Sequence, residues 1–308
     1  MQEHTVFCRI LRGMELQKKD NINNLVECWK KATGNGLNIL DEGGMAEFWN
    51  TRSAEFWNKR SENYSRNIEK DQRKKRTDEI LEFLEEAGFS PEGSRVLDIG
   101  CGPGTLSLPL ARLGTEVTAL DISSGMLNKL KDAVKKESLP VDVIECSWWT
   151  ADIDGLGFRN KFDLVIASMT PGIRDVENFD MMMACSKNLC YYSNFLRRGE
   201  DRAYRDIRSS ILGEKSENNM NGIIYPFMYL YLSGYRPSVR INHSEWKEEI
   251  NWKEAADQAI EFIGRGRDFD DETKEKIMGY YQNASPDGIY RSESDVYTGM
   301  MVWEVNGR

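Results

Sequence analysis

Val96-Leu-Asp-Ile-Gly-Cys-Gly-Pro-Gly-Thr105 predicts a short buried strand, a tight turn and the start of a helix. Apolar residues lead into the turn, and glycine then occupies every second position from Gly100 to Gly104. Glycine is needed where a ligand lies against the backbone, because no Cβ can stand between the two. The segment therefore predicts a ligand site at the end of the first strand.

Apolar segments alternate with helical patterns through the first two thirds of the chain. The predicted strands are 96–99, 116–121, 141–145, 162–168 and 188–193. The predicted helices are 70–87, 106–113, 126–134 and 174–185. The helix at 106–113 is expected to turn Leu106, Leu110 and Leu113 inward. This alternation is typical of a doubly wound parallel sheet.

The two ends of the chain carry other patterns. The last third predicts helices at 201–212, 223–232, 253–264 and 271–282, with strands at 239–250 and 297–305. Near the start, aromatic residues recur at helical spacing and predict a helical cap that docks on the main domain. A functional alternative is that Trp57 or Tyr64 in this cap also forms a wall of the ligand site.

The composition is typical of a soluble globular protein, with 308 residues, 40% of them hydrophobic and 30% charged. A net charge of −9 argues against DNA as a partner, since a broad nucleic-acid footprint needs a basic face. The longest apolar run near the start is broken by Arg9 and Arg12, so neither a signal peptide nor a membrane span is expected.

The six cysteines form no CxxC pair, and His4 and His243 are the two histidines. Structural zinc sites draw on closely spaced cysteines and histidines, so no metal is expected here. Unpaired cysteines of this kind favour a reduced, cytoplasmic setting.

Three features narrow the class of ligand. Asp98 lies in the strand, two residues before the first glycine. The glycines follow a GxGxG spacing, whereas the dinucleotide fingerprint is GxGxxG and this chain has Thr105 at its last position. Asp121 ends the next strand, where a carboxylate can reach both hydroxyls of a ribose. The spacing therefore argues against a nicotinamide oxidoreductase.

Together with Lys161-Phe-Asp-Leu-Val165, these segments resemble the class I S-adenosylmethionine (SAM)-dependent methyltransferases over roughly residues 75–195. The resemblance implies an α/β, Rossmann-like, doubly wound sheet of seven strands with the last strand antiparallel. It implies SAM as cofactor, S-adenosylhomocysteine as product, and no metal. We expect an N-terminal helical cap over 1–70 and a methyltransferase domain over 71–308, with a helical insertion at about 251–285 before the last strand.

The resemblance also assigns roles to residues that match the family's motifs. Asp98 is expected to anchor the methionine ammonium of SAM, and Asp121 to accept hydrogen bonds from both ribose hydroxyls. Ile122 and Met126 are expected to pack on the adenine. The backbone that lies against the methionine and ribose is expected to be that of Gly100, Cys101, Gly102 and Gly104.

The segment after the third strand departs from the family pattern. Ser147 stands where many members have an acid that binds the adenine amino group, and Trp148 is the next, ring-contacting residue. Asp152 is a rival for the adenine contact. The alternative for Trp148 is that it fills the core.

The fourth strand ends in Ala167-Ser-Met-Thr-Pro-Gly172, where Ser168 is expected to face the methyl group. Methyltransferases that act on DNA bases or on glutamine commonly carry an Asn/Asp-Pro-Pro-aromatic motif at this place. Its absence from the sequence counts against those two acceptors.

Four residues are candidates to position the acceptor or to act as a base, namely Tyr64, Ser168, Asn194 and His243. Tyr191 and Tyr192 are further candidates for the base. A lone histidine in an alternating strand is often a surface residue, and that alternative stays open for His243. Arg197, after the fifth strand, is expected either to clamp an anionic group or to be a solvated charge.

We therefore expect a SAM-dependent methyltransferase that acts by in-line displacement on a small-molecule acceptor, anionic or aromatic. The cap and the C-terminal helices are expected to close the acceptor pocket, and neither DNA nor a membrane is an expected partner. One alternative is a protein or RNA methyltransferase with an open groove. Another is a catalytically silent subunit that binds the cofactor and scaffolds a partner.

Overall fold

The computed structural model describes residues 17–32, 53–59, 61, 70–198, 201–214, 222–264 and 268–307. The chain divides into two compact units. The first unit comprises Met1–Asn194, Asn221–Arg240 and Gly299–Arg308, and the second comprises Phe195–Met220 and Ile241–Thr298.

A seven-stranded sheet has the order β3-β2-β1-β4-β5-β7-β6. Its strands are β1 (Arg95–Ile99), β2 (Glu116–Asp121), β3 (Val141–Glu145), β4 (Phe162–Ser168), β5 (Ser186–Arg198), β6 (Ser238–Asn251) and β7 (Ile289–Glu304). The strands from β1 to β5 pair in parallel, and the sheet includes one antiparallel strand. The predicted Rossmann-like fold class is therefore confirmed.

Helices lie between and around these strands. In chain order they are α1 (17–32), α2 (53–59), α3 (Lys70–Glu86), α4 (Ser107–Arg112), α5 (Ser124–Glu137), α6 (Val176–Cys185), α7 (Arg202–Asp206), α8 (Ile224–Ser233), α9 (Trp252–Ile263) and α10 (Asp271–Asn283). Short polar side chains begin several of them. For example, Ser123 caps α5 by accepting from Met126 N, and Asp175 caps α6 by accepting from Asn178 N.

The core of the first unit lies between the sheet and α3, α4 and α5. Leu110, Leu127 and Leu130 are fully buried there against the β-strands. Leu113, predicted to point inward, is instead 48% exposed. The reason is that α4 ends at Arg112, so Leu113 occupies the C-cap and leaves the inward stripe.

The second unit has a core of its own. Ala255, Ala259 and Ile263 form a buried stripe at four-residue spacing along α9, and small side chains there permit close packing. The Tyr290 hydroxyl donates to Asp201 Oδ1 at 2.6 Å, which ties β7 to the start of α7. The helices predicted at 253–264 and 271–282 are confirmed as α9 and α10.

Two strands are longer than predicted. The fifth strand continues to Arg198, and the last begins at Ile289 instead of residue 297. The additional segments are rich in polar side chains, so an apolar pattern could not reveal them. The predicted division into a cap of residues 1–70 and a domain of residues 71–308 stays a prediction, since much of the cap lies outside the described residues.

No described helix combines the length and apolar character that crossing a membrane requires. Within the described ranges, no group of three or more His, Cys, Asp or Glu side chains is arranged to hold a metal ion.

Candidate functional site

The glycine loop after β1 is pinned to the end of β2. Gly100 N and Cys101 N both donate to Leu120 O, at 2.7 and 3.0 Å. Gly100, Gly102 and Gly104 all have positive φ, which an L side chain tolerates poorly. The loop geometry therefore depends on glycine at each of these three positions.

The three glycines differ in what surrounds them. A Cβ on Gly100 would lie 2.0 Å from Thr170 Oγ1, and one on Gly104 would lie 2.5 Å from Leu130 Cδ1. A Cβ on Gly102 would have no heavy atom of a described residue within 4 Å. Gly102 is thus the point of the loop at which a ligand can lie directly against backbone.

Asp121 ends β2 and is held by two backbone amides. Gly102 N donates to its Oδ2 and Ser123 N to its Oδ1, both at 2.8 Å. Burial raises the pKa of Asp121, and the two amides oppose that rise. Each carboxylate oxygen keeps a second lone pair, so the group can still accept from two ligand hydroxyls.

Asp98 is buried on the neighbouring strand, with 2% of its surface exposed. Burial raises its pKa to about 6, and nearby Asp121 adds to that effect. The Ser107 hydroxyl, which donates to Asp98 Oδ2 at 2.6 Å, opposes it. A buried carboxylate with so little compensation favours a cationic partner, and a ligand ammonium fits this requirement.

Cys101 is buried within the same loop. Burial raises the pKa of its thiol, and Asp98 and Asp121 raise it further. A thiol in that state stays protonated and is a poor nucleophile. Cys101 therefore fills space in the loop, and its backbone remains a predicted cofactor contact.

The residues predicted to meet the adenine follow β2 and β3. Ile122 and Ser147 are half-buried, whereas Met126 is buried under the first turn of α5. Trp148 is 3% exposed, and its indole N–H donates to Asn178 O at 3.1 Å, which fixes the ring against α6. Their adenine contacts stay predictions.

The carboxyl ends of β4 and β5 bring hydroxyl groups together. Ser168 pairs with Ser193 in register, and their Oγ atoms lie 3.0 Å apart. The Tyr191 hydroxyl is buried beside them without a hydrogen bond to a described residue. Burial raises the pKa of Tyr191 to about 12, and the nearby Ser193 hydroxyl, the guanidinium of Arg76 on α3 and the Ser168 hydroxyl oppose that rise. The three hydroxyl groups at this end of the sheet are therefore neutral, with one guanidinium close enough to act on them.

The other predicted catalytic residues fall in different places. Asn194 lies beside these hydroxyls in sequence, and its Nδ2 donates to the Tyr192 hydroxyl at 2.8 Å. His243 belongs to the second unit, where Nε2 lies 2.9 Å from Asp295 Oδ1 and the ring stacks on Tyr297. Tyr64 lies outside the described residues.

Two further predictions concern this end of the sheet. Tyr192, like Tyr191, has its pKa raised by burial to about 12, so neither hydroxyl is ionised near neutral pH. A raised pKa disfavours either hydroxyl as the base that the sequence left open, and the roles of Tyr191 and Tyr192 stay predictions. Arg197 is exposed and lies within β5, whereas the sequence placed it after this strand.

Two N-terminal helices pack on other helices of the first unit. Trp29 of α1 packs edge-on against Phe179 of α6, with ring centroids 5.8 Å apart, and Lys30 forms an ion pair with Glu177 at 2.7 Å. Asn58 of α2 accepts from Gly125 N, in the first turn of α5, at 2.9 Å. These contacts place described cap residues on α6 and on α5.

Sequence reasoning missed several residues of the site. Ser107 could have been found, because it is a polar residue on the inward face of a helix beside a buried acid. Ser193 needed the strand register, and Asn58 needed a long-range contact that no local pattern indicates. Met169, directly after β4, adopts a left-handed φ of 52°, which no sequence signal for methionine predicts.

A family model described as a methyltransferase domain matches residues 96–190. The ribosomal protein L11 methyltransferase of Campylobacter concisus is 28% identical over 159 residues, covering 49% of this chain and 53% of that protein. The ubiquinone biosynthesis O-methyltransferase of Methylocella silvestris is 45% identical over 90 residues, covering 29% of this chain and 33% of that protein. The chain spans about a third to a half of the length of these curated relatives.

Among solved structures, the magnesium protoporphyrin IX methyltransferase from Synechocystis, with bound SAM, is 17% identical. The match covers 67% of this chain and 91% of that chain, with a TM-score of 0.45. The family match, over residues 96–190, lies within the segment whose resemblance was expected from the sequence. The class expected from the sequence, that of the SAM-dependent methyltransferases, is confirmed for this part of the chain.

Proposed function

We propose that this protein transfers the methyl group of SAM to a small-molecule acceptor and releases S-adenosylhomocysteine. The observation that carries the proposal is the arrangement at the ends of β1 and β2. Two buried carboxylates, Asp98 and Asp121, flank a loop whose Gly102 backbone is open to a ligand. This arrangement fits a ligand that carries an ammonium group and a ribose diol and that lies directly against the loop backbone.

The chain's own residues bind and orient in this scheme, because bound SAM itself supplies the activated methyl sulfonium. Asp98 pairs with the methionine ammonium, which removes the unfavourable burial of a lone carboxylate. Asp121 accepts from the ribose hydroxyls while Gly102 N and Ser123 N keep its orientation fixed. Charge-assisted hydrogen bonds of this type are short and strong.

The acceptor is held at the carboxyl ends of β4 and β5, where ligands of doubly wound sheets bind. Alignment of reacting groups can contribute on the order of 7–11 kcal/mol to a displacement, and hydroxyls held by strand register are suited to that role. Ser168, Ser193 and Tyr191 are the hydroxyls concerned, and Arg76 adds positive charge nearby. The hydroxyls and the positive charge support an acceptor that is small and anionic.

The names of the relatives that match this chain point to both a small-molecule and a protein acceptor. Some names specify ubiquinone biosynthesis, and others specify a ribosomal protein. The net charge of −9 favours the small molecule over RNA. The five described cysteines are all free, which supports our proposal of a cytoplasmic location.

The test is an assay of S-adenosylhomocysteine formation from SAM with three separate acceptor sets, namely a metabolite panel, ribosomal proteins and RNA. An Asp121→Asn variant is the matched control for background turnover. Turnover with a metabolite supports the proposal, and turnover with protein or RNA alone contradicts it. Tight S-adenosylhomocysteine binding without turnover on any set would instead indicate the silent, scaffolding subunit.

A further inference from the structure

Asn58 on α2 makes a dense contact with the start of α5. Its Oδ1 accepts from Gly125 N at 2.9 Å and from the Ser123 hydroxyl at 2.7 Å, with the Ser124 hydroxyl at 3.4 Å. The amide orientation is fixed by chemistry, because a backbone N–H can only donate and so must face the oxygen. One side-chain oxygen thus serves donors from three successive residues.

The two segments approach each other closely at Gly125. A Cβ at this position would lie 2.6 Å from Ser61 Oγ and 3.3 Å from Asn58 Cα. The Ser61 hydroxyl donates back to Asn58 O at 2.7 Å, and Lys129 of α5 donates to Ser61 O. The segment around Asn58 and the first turns of α5 therefore pack closely against each other.

A hydrogen-bond path leads from Asn58 to the carboxylate predicted to hold the ribose. Asn58 accepts from the hydroxyl of Ser123, whose N–H donates to Asp121 Oδ1 at 2.8 Å. The other carboxylate oxygen accepts from Gly102 N in the glycine loop. Asn58 thus fixes Ser123, and Ser123 fixes one of the two bonds that orient Asp121.

We propose that Asn58 is a positioning residue for cofactor binding, acting through Ser123 on the ribose-binding carboxylate of Asp121. This inference rests on the function proposed above. It makes the described part of α2 a component of the cofactor site, although the helix lies some 60 residues before Asp121 in the sequence. Cofactor affinity then depends on a residue that need not touch the cofactor.

The experiment is calorimetry of S-adenosylhomocysteine and of 5′-methylthioadenosine with wild type, Asn58→Ala and Asn58→Asp. Loss of the capping oxygen in Asn58→Ala should weaken both ligands about fivefold to tenfold, since both carry the ribose. Aspartate has the acceptor oxygens that all three donors require, so Asn58→Asp should bind within about twofold of wild type.

Asn251→Ala is the matched control, because Asn251 Oδ1 caps α9 of the second unit by accepting from Lys253 N at 3.0 Å. It removes a cap of the same chemistry and should leave both affinities unchanged. Should Asn58→Ala fail to fold, Ser61→Ala supplies the test through a smaller, about twofold loss.

Three results would overturn the inference. Wild-type affinity in Asn58→Ala, or equal losses in Asn58→Ala and Asn251→Ala, would show that Asn58 only stabilises the fold. A loss confined to S-adenosylhomocysteine would place the effect on the methionine part of the ligand. Absence of S-adenosylhomocysteine binding by the wild type is a different failure, because it removes the proposed function itself.

Discussion

The carboxyl ends of β1 and β2 differ from those of β4 and β5 in charge and in hydrogen bonding. At the first pair, which we term the cofactor edge, Asp98 and Asp121 are buried acids that already accept from neighbouring groups. At the second pair, the acceptor edge, Ser168, Ser193 and Tyr191 are neutral hydroxyls. Among these, the Tyr191 hydroxyl forms no hydrogen bond with the described part of the chain.

The two pairs of strand ends are suited to different kinds of ligand. Buried carboxylates interact strongly and selectively with cations and diols, so the cofactor edge can specify one ligand from a few residues. Neutral hydroxyls discriminate less by charge and more by position. Under the proposed function, the acceptor edge could therefore accommodate another acceptor by changes in the elements around it, while the cofactor edge stays the same.

The largest effect that the comparison predicts is for Asp121→Ala. Removing hydrogen bonds from a charged acceptor to two ribose hydroxyls should weaken S-adenosylhomocysteine binding by about 3 kcal/mol, roughly a hundredfold. Calorimetry measures this directly. Asp142→Ala on the exposed part of β3 is the control and should bind as wild type. Unchanged binding in Asp121→Ala would remove the ribose assignment.

Asp98 predicts a pH dependence of cofactor binding. Its pKa of about 6 means that protonation competes with the ligand ammonium below that pH. Affinity for S-adenosylhomocysteine should therefore fall by up to about tenfold per pH unit as the pH drops below 6. Titrations from pH 5 to pH 8 test this. In Asp98→Asn the affinity should be lower and nearly independent of pH over the range.

The same group predicts an opposite trend in the stability of the ligand-free protein. The folded pKa of Asp98 is about 6, above the ordinary value of 3.8, so the folded state binds more protons than the unfolded state between these values. Stability should then fall as the pH rises from 4 to 6, by an amount on the order of 3 kcal/mol. Asp98→Asn should be more stable than wild type at pH 7.5 in urea unfolding. Equal stability of the two proteins at pH 7.5 would show that other interactions offset the cost of burying the Asp98 carboxylate.

The cofactor edge was predictable from the sequence because its chemistry is local. Asp98, the glycine loop and Asp121 lie within one strand-loop-helix-strand unit, and the strand bounds predicted for β2, β3 and β4 agree with the structure. Steric and charge requirements of this kind restrict residue types strongly.

The acceptor edge was less predictable, because it depends on register and on distant segments. The pairing of Ser168 with Ser193 arises from the alignment of β4 with β5, which no single segment encodes. Burial of Tyr191 and Tyr192 raises their pKa values and disfavours them as bases, although their positions in the sequence suggested that role. Asn58 reaches its partners across a long stretch of chain.

Tyr191→Phe predicts an effect of intermediate size at the acceptor edge. Removing a buried hydroxyl that lacks a partner should stabilise the ligand-free protein by about 1 kcal/mol. If that hydroxyl binds the acceptor, kcat/KM should fall about tenfold while S-adenosylhomocysteine affinity is unchanged. Tyr290→Phe, which removes a hydrogen-bonded hydroxyl in the second unit, is the control and should destabilise instead. Higher stability with unaltered turnover would exclude Tyr191 from acceptor binding.

The smallest expected effect concerns Met169. Both edges contain residues with left-handed backbone, but they differ in the type of residue at those positions. The cofactor edge has glycine at its left-handed positions, whereas Met169 has a φ of 52° with a full side chain. Left-handed backbone is about 1 kcal/mol less favourable for a residue with a Cβ, so Met169→Gly should be about that much more stable than Met169→Ala. Urea unfolding of the two variants measures the difference. If the side chain of Met169 faces the acceptor, both variants should turn over several-fold more slowly than wild type. Wild-type turnover in Met169→Gly would show that the conformation is tolerated without any use of the side chain, and would confine the acceptor edge to its hydroxyls.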